Sequence, residues 1–253
     1  MNNHELVLVI DFGGQYNQLI ARRVREAKVY CEVVPYDVTI ETILQKKPKG
    51  IIFTGGPSIA YDDDAPSVDP QIFELGIPVL GICYGAQLTA HLLGGKLEAA
   101  SNREYGKKTL NITASDHPIY KEVGQETTCW MSHTYHVTSL PDGYKVIAKT
   151  DHCPIAAYAN DQKKIYGFQY HPEVVHTPKG SQMLHNFLYE VCQCKGDWVM
   201  RNFVDSAIKS LREQIGDRKV LLGLSGGVDS SVAAMLIHKA VGHQLTCIFV
   251  DNG

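Results

Sequence analysis

The 253-residue sequence has no long apolar run; stretches such as Leu6–Ile10 are strand-sized, which excludes a membrane-spanning helix. The start, Met1-Asn2-Asn3-His4-Glu5, lacks the cationic segment of a secretory signal, so a cytoplasmic location is expected. Positive charge is not in excess either. With 24 Lys and Arg against 27 Asp and Glu, the net charge is −3, and no electrostatic reason exists for a nucleic-acid or membrane partner. Seven cysteines make an odd count scattered through apolar patterns, which suits free thiols in a reducing compartment rather than a disulfide framework. Cys192-Gln193-Cys194 has no second half at metal-ligand spacing and reads as two thiols at a helix end. There are no internal repeats and no low-complexity segments. What is present, 44% hydrophobic and 20% charged residues, is ordinary for a globular protein, and the length suits one large domain or one and a half ordinary ones.

Short apolar strands alternate with helical patterns at the start. Strand candidates are Leu6–Asp11, Cys31–Pro35, Gly50–Thr54 and Pro78–Ile82; a helix runs through Leu19, Ile20, Val24 and Ala27, and another over Ala86–Leu93. That alternation predicts an α/β fold with a doubly wound, largely parallel sheet. From about Lys107 the texture changes to successive strand-like runs, Thr109–Thr113, Thr128–Ser132, Tyr144–Thr150, Ile155–Ala159 and Ile165–Tyr170, read as an antiparallel extension. A helix follows over roughly Lys179–Val191. The domain boundary is placed at residues 195/196. Beyond it come an amphipathic helix (Asp197–Gln214, with Val199, Phe203, Ala207, Ile208 and Leu211 on one face), strand Lys219–Leu224, helix Asp229–Ala240 and strand Gln244–Val250. This is one βαβ unit of a second domain.

Cys83, between a buried strand and a helix and flanked by Gly81 and Gly85, has the logic of a nucleophile elbow. A sharp turn needs small neighbours, and helix N-terminal amides favour a thiolate. His171 and Glu173, as i and i+2 on a strand, would share a face as a general acid/base and its orienter, with Pro172 stiffening the segment. Gly56 closes a neighbouring strand and could offer a backbone amide to an oxyanion alongside that of Tyr84. A lone Gly-x-Cys-x-Gly means little; the elbow, the distant His-Pro-Glu and the Gly55-Gly56-Pro57 turn together favour catalysis.

Gly81-Ile82-Cys83-Tyr84-Gly85-Ala86-Gln87 with Tyr170-His171-Pro172-Glu173-Val174 resembles a class I (triad) glutamine amidotransferase domain. The resemblance implies hydrolysis of glutamine to glutamate and ammonia through a γ-glutamyl thioester. Cys83 would be the nucleophile, His171 the acid/base and Glu173 its orienter. Gln87 would help hold glutamine, and Ser132 and His133 match a segment whose backbone lines that pocket.

Ser225-Gly226-Gly227-Val228-Asp229-Ser230-Ser231, between a strand and a helix, reads as a phosphate cradle, with Gly226 and Gly227 permitting close approach and Asp229 able to bind Mg²⁺. It is not a Walker motif, and the bland alternative is a Gly-rich turn with Asp229 capping the helix. The run resembles the pyrophosphate-binding loop of ATP pyrophosphatases, which leave an adenylated intermediate; Val250, in Ile248–Gly253, resembles that family's adenosine-contacting edge. An amidotransferase followed by the start of an ATP pyrophosphatase resembles the family of glutamine-hydrolysing GMP synthases. That resemblance also rests on Asp11–Tyr16, Trp130–His133 and Val191–Cys194. It implies glutamine, ATP with Mg²⁺, and XMP as substrates, no tightly bound cofactor, and a homodimer whose contact region is not in the sequence. Gly14 replaces a usual serine, and Thr134-Tyr135 stand where the family usually carries Gly-Asp. The family continues well past Gly253, so the chain is expected not to make GMP by itself, to show weak and uncoupled glutaminase activity, and to have a poorly stable segment over 197–253 with an unpaired sheet edge. The alternatives are a stand-alone glutaminase or other glutamine-dependent ligase, and a non-catalytic amidotransferase-like binding subunit.

Overall fold

The computed structural model describes residues 4–62 and 64–249, in two compact units, 1–197 and 198–253. In the first unit the elements are β1 (Leu6–Asp11), α1 (Asn17–Glu26), β2 (Tyr30–Pro35), α2 (Ile40–Lys46), β3 (Gly50–Phe53), β4 (Val79–Ile82) and α3 (Tyr84–Leu92). They are followed by β5 (Lys96–Ile112), β6 (Glu126–Ser139), β7 (Lys145–Lys149), β8 (Ala157–Asn160), β9 (Ile165–Phe168) and α4 (Gly180–Asn186), which runs on into a π-helical turn, Phe187–Val191. The strands form one nine-stranded sheet in the order β2-β1-β3-β4-β9-β8-β7-β5-β6. Pairings from β2 to β9 are parallel and the remainder antiparallel.

Both faces of the parallel part are covered, which is why its strands read as unbroken apolar runs rather than alternating ones. In β1, Val7 and Val9 join the cluster formed with Ile20, Ala21 and Val24 of α1 and Met183 and Leu184 of α4. The intervening Leu8 and Ile10 face the opposite layer, with Ile43 of α2 and Tyr84 and Leu88 of α3. Strand alternation thus sorts one hydrophobic run into two cores. The carboxyl ends of β1, β3 and β4 lead into Gly13–Tyr16, Gly55–Pro57 and Cys83, respectively. Ligands of open α/β sheets gather at such strand ends.

Several sequence expectations are corrected here. The antiparallel region starts at Lys96, not near Lys107, because β5 begins with residues too polar to signal a strand; it is carried by its long ladder to β6. Helix α2 lies in a stretch with no predicted element; Thr39 caps it by accepting from the Thr42 amide at 3.2 Å. The run Ile165–Tyr170 is only partly antiparallel, since β9 pairs in parallel with β4 on its other side. That strand also stops at Phe168, so His171 and Glu173 stand on the loop that follows and not on a strand.

The second unit contains α5 (Met200–Ile215), β10 (Val220–Leu224), α6 (Val228–Val241) and β11 (Leu245–Phe249), with β10 and β11 paired in parallel. Its sheet is covered sparsely: Leu221, Met235 and Phe249 are all exposed. The expected nucleotide contact Val250 and the segment 251–253 lie outside the described residues. All seven cysteines are free thiols, and Cys192 and Cys194 are buried.

Candidate active site

Cys83 is the cap of α3 and adopts φ +52° and ψ −107°, a conformation that non-glycine residues enter only when the surroundings impose it, at about 1–3 kcal/mol. The surroundings do impose it. The Cys83 amide donates to the Phe168 carbonyl at 2.7 Å, and the Gly85 amide to the Thr54 carbonyl at 3.1 Å, clamping the turn between β3 and β9. Small neighbours are a steric requirement: a Cβ on Gly81 would lie 2.5 Å from the Gly85 oxygen, and one on Gly85 2.6 Å from the Phe53 Cβ. The turn exposes the sulfur where two cavities meet, of about 450 and 230 Å³.

The larger cavity is lined by Gly56, Cys83, Tyr84, Gln87, Ser132 and His133, together with Thr134 and Tyr135. The smaller one is lined by Gly13–Tyr16, Gly55–Pro57, Ser132 and His171. The structure therefore gathers the sequence-predicted groups of this unit around one sulfur. Among the described residues, the Gly56 and Tyr84 amides have no protein acceptor, which leaves both donors for a ligand oxygen. Gly14 is a forced choice in this backbone, because a Cβ there would lie 2.4 Å from the Gly55 oxygen.

His171 reaches the site from the loop after β9, and backbone hydrogen bonds hold that loop. Its amide donates to the Trp130 carbonyl at 3.0 Å, and its carbonyl accepts from the Thr177 hydroxyl at 2.6 Å. Arg23 donates to the Glu173 carbonyl at 2.9 Å. His171 Nδ1 and Glu173 Oε1 are 2.7 Å apart, both side chains are buried, and Glu173 Oε2 has no partner among the described residues. Burial opposes charge on His171, yet the Cys83 sulfur and the Glu173 carboxylate together hold its pKa well above the ordinary histidine value. Protonation of the ring beside the sulfur is thereby favoured. Gly180, at the start of α4, passes so close that a Cβ would lie 1.9 Å from the Pro172 oxygen. Gly180→Ala should therefore destabilise the protein by about 1–3 kcal/mol and displace the His171–Glu173 loop, as checked by urea unfolding beside an activity assay.

Two buried groups escaped the sequence reading. Gln169 lies between Gln87 and Cys83: the Gln87 amide donates to its oxygen at 3.1 Å, and its own amide donates to Sγ at 3.8 Å. Glu104, on β5, accepts from the Thr150 hydroxyl at 3.0 and 3.1 Å and stands 3.6 Å from His133 Nε2. Burial and the neighbouring His136 push His133 down to about 4, so it is neutral, and its Nδ1 donates to the Tyr135 carbonyl at 3.1 Å. Glu104, His133 and Cys153 each bring one possible metal-ligating atom within 4.8 Å of the others. Burial pushes the Cys153 thiol up to about 12, so it stays protonated and is a weak ligand.

In the second unit Ser225–Gly227 form an exposed loop that links β10 to α6, and Val228–Ser231 are the first turn of that helix. Gly226 has φ +78°, Ser225 Oγ lies 3.1 Å from Ser230 Oγ, and the Ser231 hydroxyl donates to the Gly227 carbonyl at 2.9 Å. The α6 cap is Gly227, with Val228 and Asp229 in the first turn, so Asp229 is not the helix cap.

A family model described as glutamine amidotransferase class-I matches residues 8–191. The chain belongs to the class-I glutamine amidotransferase family. The mixed sheet is accordingly that of a class-I amidotransferase. A second model, described as NAD synthase, matches residues 199–250. The chain is 61% identical over 251 residues to a protein named GMP synthase [glutamine-hydrolyzing] from Acetivibrio thermocellus, covering 99% of this chain and 49% of that one. The like-named protein of Ruminiclostridium cellulolyticum is 60% identical with the same coverage. The chain thus spans about half the length of these relatives. Among solved structures, a Thermoplasma acidophilum protein described as one component of a GMP synthase superposes with a TM-score of 0.69 at 29% identity, over 76% of this chain and 96% of that one. A glutamine amidotransferase from Thermotoga maritima, with a TM-score of 0.60 at 16% identity over 76% of this chain and all of that one, shares the fold.

Proposed function

We propose that residues 1–195 hydrolyse glutamine and that residues 196–253 begin an ATP-using synthetase domain, as in a glutamine-hydrolysing GMP synthase. One observation carries the first half: a cysteine held at positive φ on an elbow, beside a buried histidine paired with a carboxylate. The Cys83 thiolate attacks the side-chain carbonyl carbon of glutamine, and the resulting oxyanion accepts from the Gly56 and Tyr84 amides. The His171 imidazolium gives its proton to the departing nitrogen, so ammonia leaves and a γ-glutamyl thioester forms. Water then attacks that carbon while His171 takes up a proton; the thiolate departs and glutamate is released. Glu173 orients the ring throughout. Gln87, Ser132 and His133 form the wall against which glutamine is held.

For the second half, the segment Ser225–Ser231, a three-residue loop and the first turn of α6, fits a pyrophosphate. It supplies Gly226 and Gly227, the hydroxyls of Ser225, Ser230 and Ser231, and the Val228–Asp229 start of a helix, whose dipole favours an anion. ATP bound there would activate the C2 oxygen of XMP for displacement by the ammonia, giving GMP, AMP and pyrophosphate. Asp229 is one hard oxygen donor, which suits a Mg²⁺ held mainly by phosphates and water. That the relatives match across both segments supports this reading over a stand-alone glutaminase or a non-catalytic binding subunit.

The test is glutamate and ammonia release from glutamine by the purified chain, before and after treatment with a diazoketone glutamine analogue. Steady release that the analogue abolishes irreversibly is expected. A folded chain that neither hydrolyses glutamine nor reacts with the analogue would overturn the reading.

A further inference from the structure

The polar chain behind Cys83 has a direction that chemistry fixes. A backbone carbonyl can only accept, so Gln87, 2.7 Å from the Tyr135 oxygen, must present its amide nitrogen there. The second hydrogen of the same nitrogen goes to Gln169 Oε1 at 3.1 Å. Gln169 must then turn its own amide nitrogen to Cys83 Sγ, 3.8 Å away. Reversing either side chain would set carbonyl against carbonyl or amide against amide in a buried site, leaving groups unpaired. Gln169 is 2% exposed, so no solvent competes for that donor.

We propose that Gln169 is a further catalytic group of this site, whose amide donates a hydrogen bond to the Cys83 thiolate and is aimed there through Gln87 by the Tyr135 carbonyl. The inference rests on the reading of Cys83 as the nucleophile. A thiol can give its hydrogen to the Ser132 carbonyl, also 3.8 Å away, so the sulfur has a partner in either state. A hydrogen bond to a charged acceptor is roughly twice as strong as one to a neutral acceptor, so the Gln169 donor favours the thiolate. It acts again when the thioester breaks, because negative charge returns to the sulfur as it leaves. Of the titratable groups around the sulfur, His171 from the loop after β9 supplies charge, while His133 on β6 and Tyr84 on α3 stay neutral. Gln169 adds a donor that does not titrate. A consequence for Gln87 follows: with both its hydrogens engaged, it offers glutamine its carbonyl oxygen.

The test compares Gln169→Leu and Gln169→Glu with the unsubstituted chain. Iodoacetamide alkylation of Cys83, followed by peptide mass mapping, is measured from pH 6 to pH 10 beside kcat and KM. Gln169→Leu should alkylate about tenfold more slowly at pH 7, with the deficit closing as pH rises, and kcat should fall by a similar factor. Gln169→Glu keeps the acceptor for Gln87 and reverses the polarity at the sulfur, so its deficit should be larger. It also serves as the deciding variant if the leucine protein does not fold. Wild-type alkylation rate and pH profile in a folded Gln169→Glu protein would overturn the proposal. That outcome is distinct from failure of the underlying reading, in which Cys83 of the unsubstituted chain would not react with the glutamine analogue.

Discussion

Cys83→Ala is expected to lose glutamine hydrolysis by at least about 10⁴-fold, with little change in stability. The substitution removes the sulfur proposed to carry the thioester while keeping the Cβ that the elbow already accommodates. Stability should stay within about 1–2 kcal/mol of the parent, because Cys83 is held by its backbone; among the described residues its sulfur makes two long hydrogen bonds at 3.8 Å and supports the charge on His171. Serine at the same position is the harder control. It retains a nucleophilic atom at the same place, yet a hydroxyl is far less ionised than a thiol, so activity should remain within about tenfold of the alanine protein. Steady-state glutamate production beside thermal unfolding separates the two effects. A Cys83→Ala protein that keeps more than a tenth of the parent rate would remove the sulfur from the chemistry.

Glu173→Gln should have the second-largest effect, a fall in kcat of about 10²- to 10³-fold, with a change in pH dependence that a purely structural lesion would not produce. The sign follows from His171. Its pKa in the folded protein lies well above the unfolded value, against the effect of burial, through Cys83 and Glu173. The protonated ring, which in the proposed mechanism delivers the leaving-group proton, is therefore favoured and is lost as pH rises through the raised value. The same protonation contributes stability that is complete below the unfolded pKa of about 6.5 and disappears across that alkaline window. Removing the carboxylate takes away one of the two raising influences. The alkaline limb of kcat should move to lower pH, and the alkaline loss of stability should move with it. Rate profiles from pH 6 to pH 10 check the first and melting temperatures over the same range check the second. An unchanged alkaline limb in Glu173→Gln would mean that the 2.7 Å contact does not govern the proton on His171.

The parallel half of the sheet was legible because burial on both faces leaves a plain mark. Leu6–Ile10 is apolar at every position, and its two faces belong to two different cores. The elbow was legible for a steric reason, since Gly81 and Gly85 both stand where a Cβ would collide with backbone. The pairing of His171 with Glu173 was also readable, but its geometry was not. The expectation of a shared strand face was wrong, and the two residues meet because Thr177, Trp130 and Arg23 fix a loop. No local pattern encodes those three contacts. The first residues of β5 were illegible for the opposite reason, as a polar strand held by its neighbour carries no hydrophobic period. Gln169 was hidden in an apolar run, and its partner Gln87 lies 82 residues away in the chain. A glutamine inside an otherwise buried strand-like segment is itself a signal, because such a group must find a partner, but it does not name one.

The most direct test of the central claim is to trap the acyl intermediate. The chain is mixed with glutamine, quenched in acid within the first turnovers, digested, and the Cys83 peptide examined by mass spectrometry. The expected result is a γ-glutamyl adduct on Cys83 that disappears on treatment with neutral hydroxylamine and never forms in Cys83→Ala. Hydrolysis of glutamine with no adduct on Cys83 at any quench time, or an adduct on another residue, would contradict it.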